Sequence, residues 1–400
     1  MKIKTIFEIF NNQLITNMRK TLLLLSLSIF LYGQAQILKT INVTTPGDLS
    51  SLLTENEKNL ITSLTVTGTI DVRDFKCMRD QMPVLSNIDL SESNVAEYNG
   101  GAVTYPYMTN YPANELPAYS FRNYYTSLAK TTLNSIILPK TLISIGRSAF
   151  STCPNLATIE INNSITTIGE NAFIGCYGLT KVKMGSSVTT IGSYAFQYCS
   201  ALNDLTIGDH VTNLGIDVFD DCSSLTKVII PNSITTLRSS MFSDCTKLTE
   251  ITIPSSVTTI ESGAFGYCTA LKTIYSLNPI PPTCIGFCFT LVAASKVYVP
   301  ASSVSAYKSA LVWSDCFYSQ ITAIPSTDII IPTNSNVKVF ANHSEIIING
   351  TNNGDVINIY ALTGKLIQKI QSSGEQINIP FQTNNIYIVK IENETFKISL

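Results

Sequence analysis

A step of 23 residues dominates the chain and constrains its fold more than any other feature. Phe150, Phe173, Phe196, Phe219, Phe242 and Phe265 recur at this interval, as do Cys153, Cys176, Cys199, Cys222, Cys245 and Cys268. Leu133, Leu156, Leu179, Leu202, Leu225, Leu248 and Leu271 keep the same spacing. A strict period of this length marks a solenoid, in which each unit is one coil too small to bury its own apolar edge. In the copy LTEITIPSSVTTIESGAFGYCTA (residues 248–270), Leu248, Ile251 and Ile253 form an L-x-x-L-x-L pattern whose end alternates as a strand does. Pro254 and Ser255 turn the chain, Val257 and Ile260 give a second apolar pair, and Ala264, Phe265 and Cys268 close the coil inward. Coils stacked at about 4.8 Å can pair their backbones with each other and set Phe on Phe and Cys on Cys.

The array runs beyond its clean copies. In residues 64–90, Leu64 and Val66 are answered by Ile88 and Leu90, and residues 36–63 are expected to form an N-terminal cap. Residues 93–132, with YPYMTNYP and RNYY, read as an enlarged coil or insertion. Past Leu271 the pattern decays through SLNPIPPTC into KVYVPASSVSAYKSALVW, predicted to be a last strand and a short helix opened by Ser302 or Ser303. Trp313, the sole tryptophan, is expected to seal that end, as terminal repeats must.

The SSVTTIGSYAFQYC-type cores across residues 133–270, with the YVPASSVSAYKSALVW ending, resemble the BspA-like leucine-rich-repeat family of bacterial surface proteins. That resemblance implies a leucine-rich-repeat solenoid used for adhesion or protein recognition, and implies no catalytic residues. From Asn334 the rhythm changes to short alternating strands (VINIYAL, KLIQKI, INIPF, IYIVKI, TFKISL) parted by Gly, Asn and Asp, which predict a small C-terminal β-sandwich. VINIYALTGKLI (356–367) and IYIVKIENETFKISL (386–400) resemble the type A C-terminal sorting domain of the type IX secretion system. Asn385 stands where that family usually has Gly, and Asn tolerates positive φ. This resemblance implies passage across a Gram-negative outer membrane through the type IX machinery, with surface attachment or release.

MRKTLLLLSLSIFLYGQAQ (18–36) has two basic residues, an apolar run from Leu22 to Leu31, then Gly-Gln-Ala, the pattern of a secretory signal peptide cleaved after Ala35. Met18 is then the expected translation start. The run is short for a membrane span, and no other stretch is apolar for longer, so no transmembrane segment is expected in the mature chain. The expected layout is a signal peptide over 1–35, a capped repeat array over 36–330, a linker over 321–336 and a sorting domain over 334–400.

Charged residues make up 14% of the chain, against about 25% in typical domains. Lys plus Arg is 26 and Asp plus Glu 28, so electrostatics give no case for a nucleic-acid partner. There are two histidines, His210 and His343, and no G-x-S-x-G motif, which leaves a nucleophilic triad without support. No phosphate-cradling glycine loop, cofactor or metal site is expected. The six ladder cysteines read as buried free thiols, and Cys77, beside Phe75, as a variant of the same position. Cys284, Cys288 and Cys316 are better disulfide candidates, with the pairing left open. Asp220, Asp221 and Asp244 read as solvated turn residues, with weak calcium binding or a paired-carboxylate role as the alternatives.

What remains is surface. The residues between buried strand positions form an outward strip, of which Lys181, Lys183, Lys227, Ile229, Glu250 and Tyr275 are the candidate partner-binding set. The tyrosine-rich insertion at 105–125 is a second candidate surface. The expected function is non-catalytic recognition of a protein or glycan on a host, matrix or neighbouring cell. A structural spacer or surface-layer component is the first alternative, and an accessory role in glycan processing the second.

Overall fold

The computed structural model describes residues 36–324 and, in the tail, 338–342, 345–349, 351, 353–361, 366–374, 377–380, 386–391 and 394–399. The signal-peptide reading, Met18, His343, Asn385 and linker residues 325–336 lie outside the described residues.

Each coil has three sides. One carries a strand of about three residues, such as Thr158–Glu160 or Lys181–Lys183, with its central side chain buried and its neighbours exposed. These strands pair in parallel with the same repeat position of the next coil, Thr158 opposite Lys181 and Glu160 opposite Lys183. The second side carries a two-residue strand from the Val-Thr-Thr-Ile segment, such as Thr190–Ile191, flanked by Thr167–Ile168 and Asn213–Leu214. The third side is the turn that holds the aromatic ring.

That turn has no regular strand, yet it is hydrogen-bonded from coil to coil. Ser148, Phe150 and Thr152 donate their amides to the carbonyls of Glu170, Ala172 and Ile174, and the pattern repeats at each step through Gly263, Phe265 and Tyr267. Alternate amides can face the neighbouring coil because two residues per turn are left-handed. These are Ser148, Asn171, Tyr194, Asp217, Ser240 and Gly263 before the ring, and Thr152, Gly175, Tyr198, Asp221, Asp244 and Tyr267 after it. Between them the rings queue in a single file. Phe121, Phe150, Phe173, Phe196, Phe219, Phe242, Phe265 and Phe289 stack at 5.1–5.8 Å with interplanar angles of 3–13°.

The ladder cysteines have a definite task in this turn. The Cys199 amide donates to the carbonyl of Phe196 in its own coil, while its thiol donates to the carbonyl of Phe173 one coil back at 3.3 Å. Cys176, Cys222, Cys245 and Cys268 do the same at 3.0–3.4 Å. The carbonyls of Phe150, Phe173, Phe196, Phe219 and Phe242 therefore each accept two hydrogen bonds. Cys77 departs from the expectation. It lies in the helix Val72–Asp80, and its thiol points to the Gln81 side chain at 3.6 Å instead of a ladder carbonyl. Its neighbour Phe75 does join the file, edge-on to Phe121 at 6.2 Å.

At the N-terminal end, strand Leu38–Val43 pairs with Ser63–Ile70, and two short helices, Leu49–Leu52 and Glu55–Leu60, cover the joint. The enlarged coil is a complete coil in disguise. Its Glu115–Leu116 pairs with Ser144–Ile145, and its Phe121 stacks on Phe150. At the other end the expected single helix is two, Val304–Ser309 and Leu311–Phe317, after a 3-10 turn. Ser303 precedes the first helix but, itself buried, gives its hydroxyl to the Pro279 carbonyl at 2.7 Å and makes no side-chain cap of the helix. Trp313 closes the core as expected, its ring 5.2 Å from Phe289 and its indole N–H donating to the Pro282 carbonyl. The expected linker begins too early. Ile321–Ala323 is a strand paired with Lys296–Val299, held there by burial of Ile321.

The strand side is not one uninterrupted sheet. It falls into three runs of four strands, with seams between Ser135–Ile137 and Thr158–Glu160 and between Lys227–Ile229 and Glu250–Ile253. The tail is built differently. An antiparallel sheet of Lys338–Asn342, Glu345–Asn349 and Ile377–Pro380 and another of Leu366–Ser373, Asn353–Ala361, Ile386–Ile391 and Glu394–Ser399 share one apolar cluster, Ile346, Ile348, Ile357, Ile359, Ile379, Val389 and Ile391.

Two stability predictions follow from this packing. Phe196→Ala is expected to lose about 3–5 kcal/mol, read by urea denaturation against the exposed control Lys247→Ala; a loss under about 1 kcal/mol would show that the file carries little of the stability. Lys130 is buried with its ammonium donating to the Met82 carbonyl, and burial pushes its pKa down from 10.5 to about 8. Between those values the unfolded chain binds more protons than the folded one, so stability rises with pH across this window. Melting curves at pH 7 and pH 10 are expected to show that rise diminished in Lys130→Met; an unchanged pH dependence would contradict it.

Candidate interaction surface

The alternate positions of the short strands lie in register from coil to coil and form a strip. Thr158 and Glu160, Lys181 and Lys183, Asp204 and Thr206, and Lys227 and Ile229 lie side by side in the first full run, and Glu250 and Thr252, Thr273 and Tyr275, and Lys296 and Tyr298 in the next. Charges alternate across it. Lys183 pairs with Glu160 at 2.5 Å, both side chains about two-thirds exposed, and Asp204 stands in register between Lys181 and Lys227. Exposed pairs of this kind add about 0–1 kcal/mol to stability, so their arrangement matters more for what the strip presents than for holding the coils together.

Of the six candidate residues, Lys181, Lys183, Lys227 and Ile229 share one run, with Ile229 half-buried. Glu250 and Tyr275 belong to the next, across a seam. Two features were missed in the sequence. Tyr298 stacks on Tyr275 at 5.0 Å, giving the strip an aromatic end, and its position one period after Tyr275 could have signalled this. Lys181 and Lys183 also flank a groove of about 510 Å³ lined by Val182, Met184, Asn203, Thr206 and Gly208. There the pairing of Lys181–Lys183 with Asp204–Thr206 is reduced to the single match Lys181–Asp204, where neighbouring coils keep three.

The other candidates fall elsewhere. Asp221 and Asp244 occupy the left-handed position after the ring, Asp220 accepts from the Gln197 amide at 2.8 Å, and burial together with mutual repulsion raises the pKa of Asp217, Asp220 and Asp221. Among the described residues no three His, Cys, Asp or Glu side chains gather as a metal-ligand set. His210 is exposed in its turn. Cys284 and Cys288 come together at the C-terminal cap as free thiols, Cys288 turned to the Ile260 carbonyl at 3.1 Å; the closeness of the two thiols raises the pKa of Cys284 and lowers that of Cys288, and Cys316, also free, is exposed nearby. Cys288 fills the place that Ala264 takes one coil earlier, since Phe265 donates to its carbonyl and stacks on Phe289.

The sequence pattern of the BspA type Leucine rich repeat region matches in six copies, over residues 123–249, 189–316 and 236–367. The chain belongs to this family. The family is one of repeat proteins of the recognition type, and nothing among the described residues points to catalysis. No helix among them is long and apolar enough to cross a membrane. No curated protein matches the chain. Solved structures similar to parts of it include the T. pallidum leucine-rich-repeat protein, at 28% identity and TM-score 0.33, covering 36% of this chain and 72% of that one. A leucine-rich-repeat protein from Bacteroides ovatus matches at 27% identity and TM-score 0.32, over 40% of this chain and 48% of its own. A leucine-rich cell surface protein from Faecalibacterium prausnitzii matches at 20% identity and TM-score 0.34, over 68% and 85%.

Burial pushes the thiol of Cys176 up to about 12 and that of Cys268 to about 12, and raises the other ladder thiols also. Since the thiolate is the nucleophile, iodoacetamide on the folded protein at pH 8 is expected to label Cys316 well before any ladder cysteine. Peptide mass spectrometry reads the order, and early ladder labelling would contradict the packing.

Proposed function

We propose that the protein is an exported recognition protein, displayed on the outer surface of a Gram-negative cell, that binds a protein or glycan of a host, matrix or neighbouring cell through its strand face. The observation that carries this reading is the strip itself: a row of registered, alternately charged side chains with a groove at Lys181 and Lys183 and a tyrosine pair at its end. A solenoid offers area in place of an enclosed pocket, and such a face suits adhesion. Export is supported by the signal-peptide pattern of residues 18–35. Display is supported by the tail, whose two sheets share an isoleucine-rich cluster, consistent with a small β-sandwich that serves the type IX machinery as a sorting domain over 334–400.

The spacer reading uses the same coils for length alone. A variant carrying Lys181→Ala, Lys183→Ala, Lys227→Ala and Tyr275→Ala separates the two. A recognition protein is expected to lose partner binding at least ten-fold in surface plasmon resonance against matrix proteins and glycans, with its melting temperature little changed. Full retention of binding, or attachment by the cells that ignores the substitution, would favour the spacer.

A further inference from the structure

The enlarged coil builds a second concavity, remote in character from the strip. Where the regular coil passes from Phe150 to Leu156 in six steps, this one takes twelve from Phe121 to Leu133. The extra residues form a hairpin. Arg122 bridges to Ala129, Asn123 donates its amide to the Leu128 carbonyl, and the Asn123 side chain accepts from the amides of Tyr125 and Thr126. The hairpin overhangs the next two coils and encloses a half-open pocket of about 280 Å³, lined by Tyr119, Arg122, Tyr124, Ser148, Ser151 and Asn171 among others. That is just below the range of about 300–1,000 Å³ typical of drug-sized ligands, and leaves room for a single ring.

The lining is unusual in its charge. Among the described residues Arg73, Arg79, Arg147 and Arg238 each pair with a carboxylate, whereas Arg122 has none. One of its terminal nitrogens donates to the hydroxyls of Ser151 and Thr152, at 2.6 and 3.4 Å, which fixes the plane of the guanidinium. Its other terminal nitrogen and Nε make no hydrogen bond among the described residues, so the donors best placed to take two oxygens at once stay available. The tyrosines around it are held rigidly. Tyr105 stacks on Tyr119 at 4.8 Å, and Tyr124 stands edge-on to both at 5.3 Å.

We propose that this pocket binds a carboxylated sugar residue, with the carboxylate on Arg122, the ring's C–H face against Tyr124, and the sugar hydroxyls on Ser127 and Asn171. A planar guanidinium matches a carboxylate. A serine hydroxyl and an amide donate and accept as a polyol does, and an aromatic face takes the apolar side of a sugar ring. An acidic peptide fits less well, because the pocket offers one unpaired cation and a short concavity in place of a basic channel.

The whole protein is titrated by calorimetry with D-glucuronate and N-acetylneuraminate, with D-glucose as the neutral control and a glutamate-rich peptide as competitor. At least one acidic sugar is expected to bind ten-fold or more tightly than glucose, and both Arg122→Gln and Tyr124→Ala are expected to weaken it at least ten-fold. Lys247→Ala, exposed and outside both surfaces, should leave it unchanged. Since Arg122 also braces Ser151, Tyr124→Ala, at the hairpin tip, keeps the test open if Arg122→Gln unfolds. Binding of neither acidic sugar, equal affinity for glucose, displacement by the peptide at lower concentration than by the sugar, or indifference to Tyr124→Ala would overturn the proposal.

Discussion

The aromatic turn is the constraint on which the rest of the molecule depends. A coil of 23 residues holds too little apolar surface to be stable alone, so it must share every buried group with its neighbours. The turn does this with three amides per coil, and the two left-handed residues make the geometry possible by aiming alternate N–H groups along the axis. Asn171, Asp217, Asp221 and Asp244 are natural occupants of such positions. Tyr194, Tyr198 and Tyr267 are not, and their presence shows that stacking overrides the local cost of placing a bulky residue there. Cysteine completes the arrangement. It is small and apolar enough for the core, yet its thiol reaches the second lone pair of the phenylalanine carbonyl behind it.

Much of this was legible because the repeat is strict. The ring file, the inward cysteines, the outward strip and the closing role of Trp313 all follow from period and polarity. What escaped the reading lies where the period slips. Phe121 extends the file but stands 29 residues before its successor, so alignment at 23 passes over it. LPAYSF was the signal for the hidden coil, since Leu116 and Phe121 keep the same internal spacing as Ile145 and Phe150. Cys288 was read as cap chemistry, although a coil one residue longer simply sets it in the alanine position. Ile321–Ala323 carries no repeat signature of its own, and its partner Lys296–Val299 decides its place. Seams between strands cannot be read from a motif that is nearly identical on both sides of them.

The two surfaces proposed for recognition differ in kind. The strip is broad, open and nearly balanced in charge, as the overall count of 26 basic and 28 acidic residues would suggest. The concavity under the hairpin is narrow, and its guanidinium is positioned by neighbouring hydroxyls instead of being neutralised. One arises from the regularity of the array and the other from its interruption. This division is common in repeat architectures, where insertions carry chemistry that identical coils cannot.

The file of rings is unbroken from Phe121 to Phe289, while the strand sheet opposite is divided at two seams. The array therefore has a stiff spine and a jointed front. No strand pairing crosses residues 137/158 and 229/250, so opening the front there would break the fewest strand hydrogen bonds, whereas shearing the rings would disturb stacked pairs along the whole file. Against a curved surface, such a body would adjust as three facets hinged on one fixed edge.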